Sequence, residues 1–162
     1  MAVTIAVESP LQDDIREIIA ALNTHLLTLS PAEFCFHMTV EQMAEPETTV
    51  FVARDETGKV VGTGSLRREA DGIAEVKRMY TLPEVRGQRV GSLLLDEIIA
   101  LAKSERVTRL VLETGSPEGF APAWRLYEKA GFTRCGPVLD YPDSEWSAFF
   151  QKYLIAPQQK AS

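Results

Sequence analysis

The chain is poor in the residues that staple, chelate or anchor a protein. Its two cysteines, Cys35 and Cys135, lie far apart and form no Cys-x-x-Cys pair, which excludes a dithiol redox motif and a cysteine-rich zinc site. The only histidines, His25 and His37, are isolated and read as ordinary packing or surface residues, so no metal is expected. The most apolar segment is interrupted by Asp96 and Glu97, and Met1 to Pro10 has no basic stretch followed by an apolar one. Neither a membrane span nor a signal peptide is visible, and a cytoplasmic location is the expectation. Basic residues are also in deficit, 17 against 23 acidic ones, for a net charge of −6. That balance argues against nucleic acid or an anionic membrane as partner of the body as a whole, while leaving room for a local basic loop. Two familiar phosphate loops are missing as well: no Gly-Lys-Ser/Thr ending and no Gly-x-Gly-x-x-Gly occurs.

What is present is an ordinary globular composition, 45% hydrophobic and 25% charged over 162 residues. That length buries one core without metal or disulfide. The expectation is a single domain over 1–155 and a mobile polar tail over 156–162.

Val3 to Val7 is β-branched and strand-like. Leu11, Ile15, Ile18, Ile19, Leu22, Leu26 and Leu29 then recur at helical spacing up to Ser30-Pro31. Pro31 to Pro46 has no clean period and fits a loop with a short helix over Thr39 to Met43. Thr48 to Arg54, Val60 to Arg68 and Ile73 to Thr81 form a meander whose turns are Asp55 to Lys59 and Asp71-Gly72. Thr108 to Glu113 reads as a buried strand. Pro122 and Gly131 bracket a helix, and Phe132 to Val138 and Trp146 to Leu154 read as the last strands. A meander joined to a βαβ crossover implies an α/β protein with a mixed sheet and helices on its faces.

The stretch that organises the chain follows the third meander strand. Leu82-Pro83-Glu84-Val85 breaks the strand, Arg86-Gly87-Gln88-Arg89-Val90-Gly91 turns, and Ser92 to Ala102 continues as an apolar helix. The first N–H groups of a helix lack intrahelical partners and sit at the positive end of its dipole, so this order suits an anion. Glycine lets the backbone approach a phosphate closely, and Arg86 and Arg89 add charge-assisted contacts. The plain alternative is a common loop with two glycines and two arginines.

With that order in place, the chain resembles the GNAT superfamily of acetyl-CoA-dependent N-acetyltransferases. Thr81 to Gly91 followed by Ser92-Leu93-Leu94-Leu95 is similar to the family's pyrophosphate loop, Arg/Gln-x-x-Gly-x-Gly/Ala. Ala123-Trp124-Arg125-Leu126-Tyr127-Glu128-Lys129-Ala130-Gly131-Phe132 is similar to its second signature, a helix that carries a tyrosine and ends in Gly-Phe. Leu112-Glu113-Thr114-Gly115, Pro122-Ala123, Cys135 and Asp140-Tyr141 are similar to a bacterial branch typified by YsnE-like proteins. The resemblance implies a central mixed sheet of about seven strands with about four helices. Arg89 stands where the family usually has its first motif glycine, so the loop there needs a non-glycine conformation or an outward arginine. Phe120 stands where many members have an asparagine that contacts the pantetheine arm.

The resemblance also implies the activity: transfer of the acetyl group of acetyl-CoA to a primary amine of a small molecule or peptide, with homodimer formation left open. Cofactor contacts fall on Met79, Tyr80 and Thr81 and on Arg86, Gly87, Gln88, Arg89, Val90, Gly91 and Ser92. The backbone N–H groups near Met79 to Thr81 would bind the developing oxyanion; the alternative is that they only bond the next strand. Glu75 would be the base. In an alternating strand it shares a face with Lys77, Met79 and Thr81, and its alternative role is a surface carboxylate paired with Lys77 or Arg68. Tyr127 would be the general acid; otherwise it packs against the sheet and bonds a backbone carbonyl. Phe34, Phe36, Met38, Tyr141 and Trp146 suggest an acceptor with an apolar part. The alternative function is a non-catalytic acyl-CoA-binding sensor or interaction module that keeps the cofactor loop.

Overall fold

A computed structural model describes residues 2–154, and the tail expected at 156–162 lies outside them. Seven strands form one sheet in the order β1-β2-β3-β4-β5-β7-β6. They are β1 (Val3–Val7), β2 (Thr48–Asp55), β3 (Val60–Arg68), β4 (Ile73–Thr81), β5 (Arg109–Gly115), β6 (Thr133–Cys135) and β7 (Ser147–Tyr153). The α-helices among the described residues are α1 (Asp13–Leu27), α2 (Val40–Met43), α3 (Val90–Ser104) and α4 (Ala121–Lys129). The mixed α/β architecture expected from the sequence is the one observed. Every neighbouring pair is antiparallel except β4 and β5. A parallel pair cannot be joined by a tight turn, and α3 supplies the crossover.

Helix packing follows the apolar spacing. Leu94, Leu95 and Ile98 of α3 are wholly buried against Phe51, Leu66, Leu110 and Phe150 on one face of the sheet. Burial of each such side chain contributes roughly 1.5–3 kcal/mol. Ile15, Ile18 and Ile19 of α1 cover the other face with Val50, Val52 and Met43. Asp13 and Asp14 lie in the first turn of α1, where negative charge suits the dipole. The short α2 is held by a capping box between Thr39 and Gln42.

Two expectations are corrected. The strand expected over Phe132 to Val138 is confined to Thr133–Cys135, because Gly136-Pro137 follows and proline has no N–H to give the ladder. The second correction concerns β4. Ser65 pairs with Lys77 and Thr63 with Tyr80, so Arg78 and Met79 together stand opposite Gly64. This two-against-one count is a β-bulge, and Arg78 takes a left-handed φ of 56° within it. The phase of the strand therefore reverses. Glu75 and Lys77 stay on the face of α1, but Met79 turns toward α3 and occupies the space that a side chain on Gly64 would need. Tyr80 packs on the α1 side. Glu75, Lys77, Met79 and Thr81 do not share one face.

Candidate active site

The β4 and β5 ladder runs only from Ile73–Arg109 to Glu75–Val111. Beyond it the two strands part, and two cavities meet in the gap. A groove of about 960 Å³ runs over the start of α3 and along α4. A smaller cavity of about 100 Å³ lies between α1, the strand ends and the segment before α2. Leu22, Leu26, Met79, Thr114, Phe120 and Tyr127 line both.

The groove is built chiefly from two stretches, Met79 to Ser92 and Gly119 to Lys129, with α1 along one side. Gly87 has a φ of 83°, and Arg89, the residue before α3, adopts φ 67° and ψ 16°. The non-glycine residue thus keeps the left-handed turn that glycine favours, at a cost of roughly 1–2 kcal/mol, and its side chain is exposed. Intrahelical bonding begins with Leu93 N–H donating to Arg89 O at 3.0 Å. The N–H groups of Val90, Gly91 and Ser92 precede that bond and belong to the partnerless first turn. A Cβ on Gly91 would come within 3.4 Å of Leu126 and 3.9 Å of Thr81, so anything larger fills the gap between α3 and α4. Arg86 donates to the Thr81 carbonyl at 3.1 Å and lies over the Tyr80 ring. Arg125 and Lys129 also line the groove; sequence reasoning did not single them out, although their place on the second signature helix marked them.

Of the expected cofactor residues, Met79, Tyr80, Thr81, Arg86, Gly87, Arg89, Val90, Gly91 and Ser92 line this groove. Gln88 does not: its N–H donates to Val85 O, and its side chain bends to Glu84 O at 3.4 Å. The donor set and the cations fit a phosphorylated ligand. Phe120 is buried at the junction, its ring lying where a Gly115 side chain would be, so this position offers a hydrophobic wall and no amide.

The small cavity is built from distant side chains. Glu75 is 3% exposed. Its Oε2 accepts from the Tyr141 hydroxyl and, at 3.4 Å, from Lys77 Nζ, which also donates to Tyr141 Oη at 2.7 Å. Burial raises the Glu75 pKa against the opposing pull of Lys77 and Tyr141. It is paired with Lys77, but in the interior; Arg68 bonds Glu105 instead. Glu113, which sequence reasoning left without a role, lines the same cavity. Burial pushes its pKa up to about 7, although Ser147 donates to its Oε2 at 2.8 Å and Lys77 is near.

Tyr127 is 6% exposed, wedged against Phe132 and Phe150. Burial, with the Glu113 charge nearby, raises its pKa, and no hydrogen bond holds the hydroxyl among the described residues. The backbone-carbonyl bond of its alternative role is not made. Phe34, Phe36 and Tyr141 line the cavity, and Trp146 stacks on Phe34 with ring centroids 6.4 Å apart. Met38 does not join them; at 5% exposure it packs under α1 with Ile15 and Val50. Cys35 is a free, half-buried thiol on the cavity wall, and Cys135 is free as well. Among the described residues no group of His, Cys, Asp and Glu could hold a metal ion, and no helix is long and apolar enough to cross a membrane.

A strand that parts from its parallel neighbour, a cationic groove over a helix N-terminus and a tyrosine at the junction define an acyl-CoA acyltransferase architecture. Residues 14–132 match the family model described as Acetyltransferase (GNAT) family. The chain belongs to that family and is an acyltransferase. It is 39% identical to the IAA acetyltransferase of Azospirillum brasilense, covering 94% of this chain and 98% of that one. It is 35% identical to the N-acetyltransferase YsnE of Bacillus subtilis, described as uncharacterized, over 86% of this chain and 93% of the relative. A crystal structure from Klebsiella pneumoniae, assigned as an acyl-CoA N-acyltransferase, superposes with a TM-score of 0.81 at 28% identity, covering 94% and 98% of the two chains. The fold is shared, at 21% identity and a TM-score of 0.69, by a phosphinothricin acetyltransferase from Sinorhizobium meliloti solved in complex with acetyl-CoA; 95% of this chain and 89% of that one are covered.

Proposed function

We propose that the protein moves the acetyl group of acetyl-CoA to a primary amine by direct attack within a ternary complex. Acetyl-CoA is the family's acyl donor, and the relative named for IAA supports acetyl transfer as the reaction. The observation that carries the proposal is the meeting of two cavities at Met79, Phe120 and Tyr127. The groove has the donors for a pyrophosphate and the small cavity has carboxylates for an amine, so both reactants fit at once and no enzyme nucleophile is needed.

When bound, acetyl-CoA supplies the activated thioester. The N–H groups of Val90, Gly91 and Ser92, with Arg86 and Arg89, hold the pyrophosphate. Backbone N–H groups over Met79 to Thr81, on the parted edge of β4, bind the oxyanion. An amine near its ordinary pKa of ~10.4 arrives protonated at neutral pH and needs a base. Glu75, buried in the amine cavity, takes that proton. A second reading assigns the base to Glu113, whose pKa of about 7 matches a base working at neutral pH.

Tyr127, which lines both cavities, would stand beside the departing sulfur. Its raised pKa keeps the phenol protonated, and outright transfer to a thiolate of pKa ~8.5 is uphill. The hydroxyl therefore acts as a hydrogen-bond donor that stabilises the developing thiolate and keeps its own proton. The test is release of free thiol from acetyl-CoA across a panel of small amines, amino acids, polyamines and peptide N-termini. At least one amine should accelerate release well above the hydrolysis rate and be recovered N-acetylated. A protein whose Tm rises with CoA but which acetylates no amine would instead be a sensor that kept the loop.

A further inference from the structure

We propose that Arg78 and Ser30 form a carboxylate subsite in the small cavity, so that the acceptor is an amino acid, an amine carrying its own carboxylate. The inference rests on the acetyltransferase reading and names the substrate class of the same site.

The bulge explains how a guanidinium reaches this place. In an unbroken β4, Arg78 would follow Ala74 and Val76 into the apolar core under α3. The extra residue and the left-handed φ of 56° turn it toward α1, where its Nη2 donates to Asn23 Oδ1 and the side chain lines the small cavity. Arg78 is 8% exposed. Asn23 is neutral, and among the described residues no carboxylate forms an ion pair with Arg78. A buried cation without a counter-ion is unfavourable, and arginine does not escape that cost by losing its proton at neutral pH.

A second observation points the same way. The buried side-chain atoms without a hydrogen-bond partner include Arg78 Nε and Ser30 Oγ, and both residues line this cavity. Ser30, also 8% exposed, is held in place by the Leu29-Ser30-Pro31 exit from α1. A guanidinium Nε–H and a hydroxyl, each without a partner, are a receptor for an oxyanion.

The other charges of the cavity select what carries that anion. Lys77 is committed to Glu75 and Tyr141, and Ser147 donates to Glu113. Glu75 and Glu113 repel a free anion but attract an ammonium, so the cavity as a whole complements a zwitterion. Its apolar lining from Phe34 and Phe36 takes the amino acid's side chain.

The experiment compares L-amino acids with their amides, pair by pair, in thiol release from acetyl-CoA. It adds the thermal shift that N-acetyl amino acids and N-acetyl amino amides give to the CoA-bound protein. For at least one pair kcat/KM for the acid should exceed that for the amide by about 10²-fold or more, as expected where a buried charge is otherwise left unpaired. Arg78→Met should narrow that ratio to within a few-fold, Arg78→Lys should leave it intermediate, and Ser30→Ala should lower it by about tenfold. If Arg78→Met does not fold, Arg78→Lys and Ser30→Ala carry the test. Amides acetylated as well as acids, or an acid preference that survives in all three variants, would overturn the subsite and leave the transferase reading intact. A thermal shift specific for the acids without any thiol release would do the reverse.

Discussion

The groove and the small cavity meet at Tyr127 but are built in opposite ways. The groove takes its donors from consecutive backbone N–H groups at the start of α3, and its shape depends on the absence of a side chain at Gly91. The cavity takes its chemistry from the buried side chains of Ser30, Glu75 and Arg78 and the half-buried ones of Glu113 and Tyr141, which only the tertiary fold assembles. Backbone recognition tolerates sequence change: Arg89 replaces a motif glycine and still adopts the left-handed turn. Recognition by buried charge does not, because each carboxylate or guanidinium left alone there costs free energy. On the function proposed, one wall would serve a cofactor common to a family, and the other could diverge with the acceptor.

The largest expected effect tests this division on the groove side. Gly91→Leu should abolish the rise in Tm that CoA produces, since the added side chain meets Leu126 and Thr81 across the gap. A shift equal to that of the parent protein would move the cofactor elsewhere. On the cavity side, Glu75→Gln should lower turnover by about 10³-fold near neutral pH, within the range for general base catalysis, while the CoA-induced shift is kept. The loss should shrink as pH rises and the free amine becomes abundant. A loss constant with pH would mark Glu75 as a structural carboxylate, and the same pH-dependent loss in Glu113→Gln alone would transfer the base role to Glu113.

How much of this was readable in advance follows the same division. The groove was legible because its glycines, arginines and helix start are contiguous, and a helix N-terminus means the same thing wherever it occurs. The cavity was legible at Glu75 and in the aromatic residues Phe34, Phe36 and Tyr141, while its other charges, Arg78 and Glu113, were not. Tyr141 reaches Glu75 across 66 positions of sequence, and no local pattern announces such a meeting. In Ile73 to Thr81 the alternation of Ala74, Glu75, Val76 and Lys77 breaks at Lys77-Arg78, two charges in a row, a mark of the bulge that the reading of an unbroken alternating strand passed over; what requires the bulge is the cost of placing a guanidinium under α3. The early end of β6, by contrast, was written in Gly136-Pro137.

At the junction, Tyr127→Phe removes one hydroxyl and keeps the ring that packs on Phe132 and Phe150. Turnover at neutral pH should fall about 10²-fold with Tm nearly unchanged. A variant that is less stable yet turns over normally would make the hydroxyl structural. The smallest effect concerns Glu113. Between the ordinary carboxylate pKa of ~4.3 and the folded value of about 7, the folded protein binds more protons at this group than the unfolded chain does. Its contribution to stability is therefore full below that window and lost as pH rises through it. Glu113→Gln should remove this slope, giving a Tm a few degrees above the parent's at alkaline pH and close to it in acid.

The central claim is that groove and cavity are filled together and that acetyl passes directly between their occupants. Initial rates measured with acetyl-CoA and an accepted amine varied against each other test it most directly. Double-reciprocal lines that intersect, with no acetyl group left on the protein after incubation with acetyl-CoA alone, are the result the structure predicts. Parallel lines, together with a protein that becomes heavier by one acetyl group in the absence of amine, would contradict it.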